Sequence, residues 1–237
     1  MRVNICAITI CCLLAGCLSG CLDSRQEAMD TLNQELAERN ARRSRSQELY
    51  RKAMEAHQAG DLTAARGLLA KAVEEDESNA HAWMQLGTYQ HEQGELYDAA
   101  QAFRKASHLK PERYEPHYNI GLIHESVGHW RRAIRSYELA LELAPDQVEV
   151  MENLARCYIA TNTKMDKAKH LIDRALESES RPEWVQWLTG QAIRLEHLGK
   201  SGLIALEPAD KEREAGGIAA TAPSRPQQES TEDVGPE

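Results

Sequence analysis

Residues 124–130 read His-Glu-Ser-Val-Gly-His-Trp and come close to a zinc-binding motif. Zinc proteases carry His-Glu-x-x-His on a helix, because histidines at i and i+4 lie on one face and can share a metal ion. Here the second histidine, His129, is at i+5, which places it about 140° around a helix from His124. Position i+4 is Gly128, which has no side chain to bind a metal. The stretch therefore does not predict a protease site.

The other residues that could do chemistry also lack partners at suitable spacing. His117 and His124 share a helix face, but no third metal ligand follows at a suitable interval. Cys157 is the only cysteine after residue 21, and its place in a helical pattern is typical of a small buried side chain. The sequence has no glycine-rich phosphate loop, nucleophile elbow or Cys-x-x-Cys pair. It predicts a protein without catalytic residues, metal or cofactor.

The composition limits the classes of partner. The 237 residues carry a formal net charge of −9, which argues against binding to the phosphate backbone of a nucleic acid. Alanine, leucine, glutamate and arginine dominate, and phenylalanine occurs once, as expected for a helical protein.

The first residues have the layout of a bacterial secretory leader. Arg2 precedes an apolar run that is too short to span a bilayer. The run ends in Leu-Ala-Gly-Cys at Cys17 and again in Leu-Ser-Gly-Cys at Cys21, and both tetrapeptides resemble the lipoprotein signature, in which the cysteine is acylated. We expect residues 1–16 to be removed and Cys17 to be lipidated. One alternative is lipidation of Cys21, and the other is an ordinary signal peptide that is cleaved without lipidation. The expected location is the bacterial cell envelope, facing the periplasm, with the inner or outer membrane undetermined.

Small and apolar residues recur at an interval of 34 residues. The tracks are Ala53, Gly87, Gly121 and Ala155; Ala65, Ala99, Ala133 and then Ala168; Ala72, Ala106, Ala140 and then Ala175; and Leu69, Phe103, Tyr137 and Ile172. Turn residues follow the same period, with glycine at 60, 94 and 128, asparagine at 162, and proline at 111 and 145. A period of this length predicts stacked helix-turn-helix units.

These tracks resemble the tetratricopeptide repeat, a helix-turn-helix unit of 34 residues. Its pattern is clearest in residues 80–113, through Trp83, Leu86, Gly87, Ala99, Phe103, Ala106 and Pro111. The resemblance implies an all-α, right-handed superhelix of four repeats, at residues 46–79, 80–113, 114–147 and 148–181. The last repeat carries one extra residue, which we place in the inter-helix turn near Thr163 and Lys164.

The segments on either side of the repeats have different compositions. Residues 17–45 are polar with a thin apolar stripe, and they predict a tether helix. Residues 182–200 carry apolar residues at helical spacing and predict a helix that caps the last repeat. Residues 201–237 are rich in proline, glutamate, glutamine and alanine and predict a disordered tail.

The resemblance also implies a partner-binding groove, which the family builds from the first helix of each repeat. Transferred by repeat position, the groove residues are Tyr50, Met54, Met84, Thr88, Glu115, Tyr118, Asn119, Leu122, Glu149 and Asn153. Asn119 and Asn153 occupy a position at which the family often uses asparagine to bind a peptide backbone. Glutamates outnumber cations in this set, whereas the subclass of the family that binds carboxylate tails uses lysine and arginine at these positions. A basic or mixed-apolar segment is therefore the expected partner.

The expected function is a non-catalytic scaffold for protein–protein interaction. It would be tethered to a membrane by its lipid and would serve assembly of pilus, secretion or outer-membrane complexes. The alternative is an accessory regulator of an envelope enzyme, such as a peptidoglycan synthase or hydrolase. The sequence does not assign an oligomeric state.

Overall fold

The computed structural model describes the backbone of residues 4–178 and 182–200, and side chains within residues 25–178 and 182–197. Within these ranges the secondary structure is helical. The helices are α1 (Asn4–Gln58), α2 (Leu62–Glu75), α3 (Ala80–Glu92), α4 (Leu96–Leu109), α5 (Glu115–Ser126), α6 (Trp130–Leu143), α7 (Val148–Thr161), α8 (Met165–Ser178) and α9 (Pro182–Lys200). The predicted tail at residues 201–237 lies outside the described residues, as do the side chains of Cys17 and Cys21.

The chain divides into two compact units, residues 1–82 and 83–237, with the boundary inside α3. In the first unit, the last turns of α1 pack against α2 around Ala53, Leu69 and Ala72, which are fully buried. Ser46 is also fully buried, and its hydroxyl donates to the Ala72 carbonyl at 2.7 Å. The Asn79 amide in turn donates to the Ser46 hydroxyl at 2.9 Å, so this buried hydroxyl both donates and accepts a hydrogen bond.

The helix that enters the first repeat begins far upstream of it. Residues 17–45 and the first helix of the repeat form one continuous helix, α1, without a break near residue 45. The tether helix predicted for residues 17–45 and the first helix of the repeat are thus parts of one helix. No proline or glycine interrupts residues 22–58, so nothing in this stretch ends the helix.

The second unit is a stack of helices in which chain neighbours contact each other from α4 through to α9. Close helix approach depends on the small residues of the 34-residue tracks. A Cβ atom built on Gly87 would lie 2.8 Å from the Phe103 ring, and one built on Gly121 would overlap the Tyr137 ring. Phe103 and Tyr137 are themselves buried, so each ring fills the space that a glycine leaves open.

The turns between paired helices lie where the sequence predicts them. Gly128 has a φ of +76°, and Asn162 takes its place in the next repeat with a φ of +52°. Glycine and asparagine are the residues that most readily adopt this left-handed conformation. Helix α6 begins two residues after Gly128, whereas α8 begins three residues after Asn162. The extra residue of the last repeat is therefore in the turn, as expected, and Lys164 there has a φ of +46°.

Helix α9 packs against α8 at the end of the second unit. Its inner face buries Trp184, Leu188 and Leu195 and adds Leu188 and Leu195 to the core formed by α6, α7 and α8. The opposite face is exposed at Ile193. This is the arrangement expected of a helix that closes a repeat stack.

A search of the described helices for an apolar stretch long enough to cross a bilayer identified none.

Candidate partner-binding surface

Helices α5 and α7, the first helices of the third and fourth repeats, are joined by a network of polar side chains. Arg156 donates to Glu125 through Nε at 2.7 Å and to the amide oxygen of Asn153 at 2.9 Å. The Asn153 amide nitrogen donates to the Tyr118 hydroxyl at 3.1 Å. The other carboxylate oxygen of Glu125 accepts from the hydroxyl of buried Tyr137 at 2.7 Å. Five side chains from three helices thus form one connected network.

The network is largely removed from solvent, which makes its pairing important for stability. The side chains of Arg156 and Glu125 are 22% and 13% exposed. Burial opposes the charge of Arg156, but the hydrogen bond and the negative charge of Glu125 raise its pKa. Burial, with the adjacent carboxylate of Glu125, raises the pKa of Tyr137 as well. A half-buried ion pair with both partners hydrogen-bonded holds α5 and α7 in one register.

Asn153 is the predicted groove residue that the structure places most deeply. It is 6% exposed, and its amide is bonded through both the oxygen and the nitrogen. Asn119, at the same repeat position on α5, is half-buried and donates to the Glu115 carbonyl of its own helix at 3.1 Å. In this structure both asparagines make hydrogen bonds within the protein, and Asn153 positions Tyr118.

The first turns of α5 and α7 bring acidic and aromatic groups together. Burial raises the pKa of Tyr114 to about 12, and the negative charges of Glu115 and Glu149 add to this effect. Carboxylates from two helices therefore act on one tyrosine. Arg113 offsets part of this charge, because its guanidinium donates to Glu115 at 3.1 Å through Nε. Acidic residues in a first turn also stabilise the helix through its dipole.

Apolar side chains lie beside these carboxylates. Tyr118 and Leu122 are partly buried and pack against the core of the second unit. The Tyr118 ring lies 5.8 Å from the Tyr137 ring, and the two planes are inclined at 45°. Because a neighbouring ring and the amide of Asn153 both hold Tyr118, the surface is preorganised. We call the surface formed by Glu115, Tyr118, Leu122 and Glu149 the inner face of α5 and α7.

The remaining predicted groove residues lie on α1 and α3. Met84 packs against the buried cluster around Phe103, and Thr88 donates to the Met84 carbonyl of its own helix at 3.2 Å. In the first unit, Tyr50 and Met54 are partly buried on α1, and the Tyr50 ring lies 6.3 Å from that of His81. Their positions are those of helix residues that pack on a neighbour while keeping part of the side chain in solvent.

The histidines and the cysteine that could do chemistry lie near a turn and in the core. His124 and His129 lie at the turn between α5 and α6, with ring centroids 6.1 Å apart. Cys157 is fully buried, and burial raises the pKa of its thiol. This is the small buried side chain that the helical pattern predicts. Among the described residues, no three histidine, cysteine or acidic side chains are grouped as metal ligands.

Comparison with known families identifies the class of protein. Residues 50–113 match one model of the tetratricopeptide repeat, and residues 126–186 match another. Together the two ranges cover more than half of the chain, and this chain belongs to the tetratricopeptide repeat family. The prediction of an all-α fold of this type is confirmed.

Individual relatives share only the repeats. The chain is 27% identical over 125 residues to Superkiller complex protein 3 of Homo sapiens, covering 50% of this chain and 8% of that protein. It is 30% identical over 105 residues to Photosystem I assembly protein Ycf3 of Cyanophora paradoxa, covering 40% of this chain and 61% of that protein. The chain therefore spans less than two thirds of the length of either relative.

Two solved structures show the same fold. One is PilF of Pseudomonas aeruginosa, with a TM-score of 0.58 and 22% identity over 68% of this chain and 71% of that one. The other is YrrB, described as a tetratricopeptide repeat protein with an unusual peptide-binding site. Its TM-score is 0.54, with 21% identity over 66% of this chain and 84% of that one. At these identities the likeness shows the fold alone.

Sequence reasoning missed two residues that shape the inner face. Arg113 and Tyr114 come before α5 and lie outside the helix positions from which the family builds its groove. Tyr137 was recognised only as a packing residue, although its hydroxyl orients Glu125. The signal was present for Tyr137, since a tyrosine in a buried track needs a hydrogen-bond acceptor for its hydroxyl.

Proposed function

We propose that this protein is a non-catalytic scaffold that binds a segment of a partner protein on the inner face of α5 and α7. The observation that carries the proposal is the juxtaposition of Tyr118 and Leu122 with Glu115 and Glu149 on a preorganised pair of helices. A partly exposed aromatic anchor beside carboxylates suits a basic segment with apolar side chains. Membership of a repeat family whose fold is generally non-catalytic supports the proposal.

The name of one relative and the description of one solved structure support this proposal. One carries the name of an assembly protein, and a structure with the same fold is described as having a peptide-binding site. By analogy, the protein would serve assembly of a pilus, secretion or outer-membrane complex. A role as regulator of an envelope enzyme would use the same surface, so the identity of the partner distinguishes the two.

The proposal places the scaffold at a bacterial membrane through a lipid on Cys17. Support comes from the two lipoprotein-like tetrapeptides in the leader. Several acyl chains on one cysteine give stable anchoring, at about 0.8 kcal/mol per buried methylene. If α1 keeps its helical form in the mature protein, Ser46 stands about 45 Å from Cys17, at about 1.5 Å per residue. The repeats would then face the periplasm some distance from the bilayer.

Photo-crosslinking in the native cell tests the binding surface. Position 119 is the better site for the crosslinker, because Asn119 hydrogen-bonds only within its own helix, whereas Tyr118 bonds to Asn153. We expect one dominant adduct from position 119 and none from the control position 173, which is exposed on α8. The Glu115→Lys/Glu149→Lys variant should lose the adduct. Equal adducts from both positions, or none from position 119, would refute this surface as the site.

Metabolic labelling with an alkyne fatty acid tests the anchor. Cys17→Ala should abolish labelling, whereas Cys21→Ala should leave it unchanged. The reverse result would assign the lipid to Cys21. Absence of label on the unmodified chain would contradict the lipid anchor and leave the partner-binding proposal standing.

A further inference from the structure

The outer faces of α4 and α6 carry a cluster of cations that the inner face does not use. Arg104 on α4 and Arg132 and Arg135 on α6 are exposed. Both helices pack against α5, which places them on either side of His124. We call Arg104, Arg132 and Arg135 the basic patch. Such a concentration of positive charge is unusual in a chain with a net charge of −9.

The arginines of the basic patch are not neutralised by carboxylates of the described residues. Within the described residues, its three arginines form no ion pair, and Arg104 instead donates to Gln101 at 3.0 Å. Elsewhere in the second unit, Arg113, Arg156 and Arg174 form ion pairs with acidic residues. Of the acids on the same two helices, Asp98 lies in the first turn of α4 and Glu142 near the end of α6. Glu138, one turn after Arg135, accepts hydrogen bonds from Tyr158 and Lys164 instead.

The charges of the basic patch all act on His124, on the helix between α4 and α6. Burial lowers the pKa of His124, and the positive charges of Arg132, His129, Arg104 and Arg135 lower it further. An anion that binds beside several positive charges lowers their electrostatic free energy, so this surface favours an acidic ligand.

The chain itself contains an acidic segment of matching charge. Residues 229–237, Glu-Ser-Thr-Glu-Asp-Val-Gly-Pro-Glu, contain four acids and no lysine or arginine. They follow α9 on the chain, and about 29 residues separate Lys200 from Glu229, which as a flexible linker would span about 30 Å. Helices α6, α7, α8 and α9 contact one another in order. Three steps of about 8–10 Å between neighbouring helices separate α9 from α6, and their sum is similar to the span of the linker.

We propose that residues 229–237 dock on the basic patch of the same chain. A tethered segment of this length acts at an effective concentration near the millimolar range, so weak contacts suffice. The contacts would be guanidinium–carboxylate pairs to Glu229, Glu232 and Asp233, and they would weaken as salt is added. This inference concerns a different surface from the proposed partner site and does not depend on it.

Zero-length carbodiimide crosslinking of the purified full chain tests the proposal. The reagent joins a carboxylate to an amine in contact with it. Lys105, next to Arg104 on α4, and Lys110, directly after α4, supply exposed amines. We expect amide bonds from Lys105 or Lys110 to Glu229, Glu232 or Asp233 at low salt. The yield should fall about fivefold in Arg132→Glu/Arg135→Glu. The matched control is Lys167→Glu/Lys169→Glu, an equal change of charge on exposed residues of α8, which should keep the yield.

Three results would overturn the proposal. The first is absence of these crosslinks at low salt. The second is an equal loss in both variants, which would show an effect of net charge alone. The third is crosslinks between chains in a mixture of ordinary and nitrogen-15-labelled protein, which would mean that the segment docks on another copy. Circular dichroism shows whether each variant is folded before its yield is compared.

Discussion

At Gly121 the packing of α5 on α6 depends on the absence of one carbon atom. The Tyr137 ring occupies the space that a side chain at residue 121 would fill. The ring cannot move aside easily, because it is fully buried and its hydroxyl donates to Glu125. Gly67 on α2 is the opposite case, since nothing lies within 4 Å of a Cβ atom built there.

We therefore predict opposite effects for two identical substitutions. Gly121→Ala should lower the free energy of unfolding by about 1–3 kcal/mol, since the added methyl group displaces a rigid ring. Gly67→Ala should raise it by about 0.5–1 kcal/mol, since alanine loses less conformational entropy in a helix. Urea denaturation of both variants measures the two values. If Gly121→Ala left the free energy of unfolding unchanged, α5 and α6 could move apart without loss of stability.

The same residues show how far the sequence could be read. A glycine or alanine every 34 residues, with an aromatic or aliphatic residue 16 positions later in three repeats and 17 in the last, was enough to predict which helices pair. The polar network was not predictable in this way, because Glu125 and Arg156 are 31 residues apart and Tyr118 and Asn153 are 35 apart. Neither interval equals the period, so the pairs depend on side-chain direction in the folded stack.

At the scale of elements, α9 differs from the helices before it. It packs mainly against α8, whereas α7 packs against both α6 and α8. Its attachment rests on Trp184, Leu188 and Leu195, with the Trp184 and Trp187 rings in edge contact at 5.7 Å. Elements with few neighbours open first, so α9 should be the least stable helix of the second unit.

Leu188→Ala should release α9 selectively. Leu188 is fully buried, and truncating such a residue costs about 2–5 kcal/mol. Since α6 and α7 keep their own contacts, hydrogen exchange should accelerate in α9 and remain slow in α7. Ile193→Ala is the control, because Ile193 is 52% exposed on the outer face of the same helix. Uniform acceleration through α7, α8 and α9 would mean that the stack unfolds as one unit.

The described parts of the chain add most to the sequence reading at a boundary. The helix pairs follow from periodic positions, each of which has a packing reason. The continuity of α1 through Ser46 has no periodic signal, because exposed polar residues occupy both the tether and the outer side of the first repeat helix. Only the buried hydroxyl of Ser46, bonded to Ala72 and Asn79, marks the point where packing begins.

At the scale of the whole molecule, stability should depend on pH through partly buried histidines. Burial lowers the pKa of His91, His117 and His124 in the folded state. As the pH falls through about 6.5, the unfolded chain takes up protons at these residues before the folded chain does. The free energy of unfolding should therefore decrease from pH 7.5 to pH 5.5.

Equilibrium denaturation at the two pH values measures this dependence. His117→Gln/His124→Gln should reduce the difference between them, because two of the three buried groups no longer titrate. His170→Gln/His197→Gln removes two exposed histidines and is the control for the loss of two imidazoles. If the two variants behave alike, the pH dependence has another origin.

The unbroken α1 fixes a rotational phase between the start of the chain and the first repeat. Each residue of a helix turns the chain by about 100°, so one residue inserted near position 35 would rotate everything before it by that angle. Seven inserted residues would return nearly to the starting phase and lengthen the helix by about 10 Å. A scaffold whose action depends on which side faces its neighbours would tolerate the second insertion and fail with the first. A simple spacer would tolerate both.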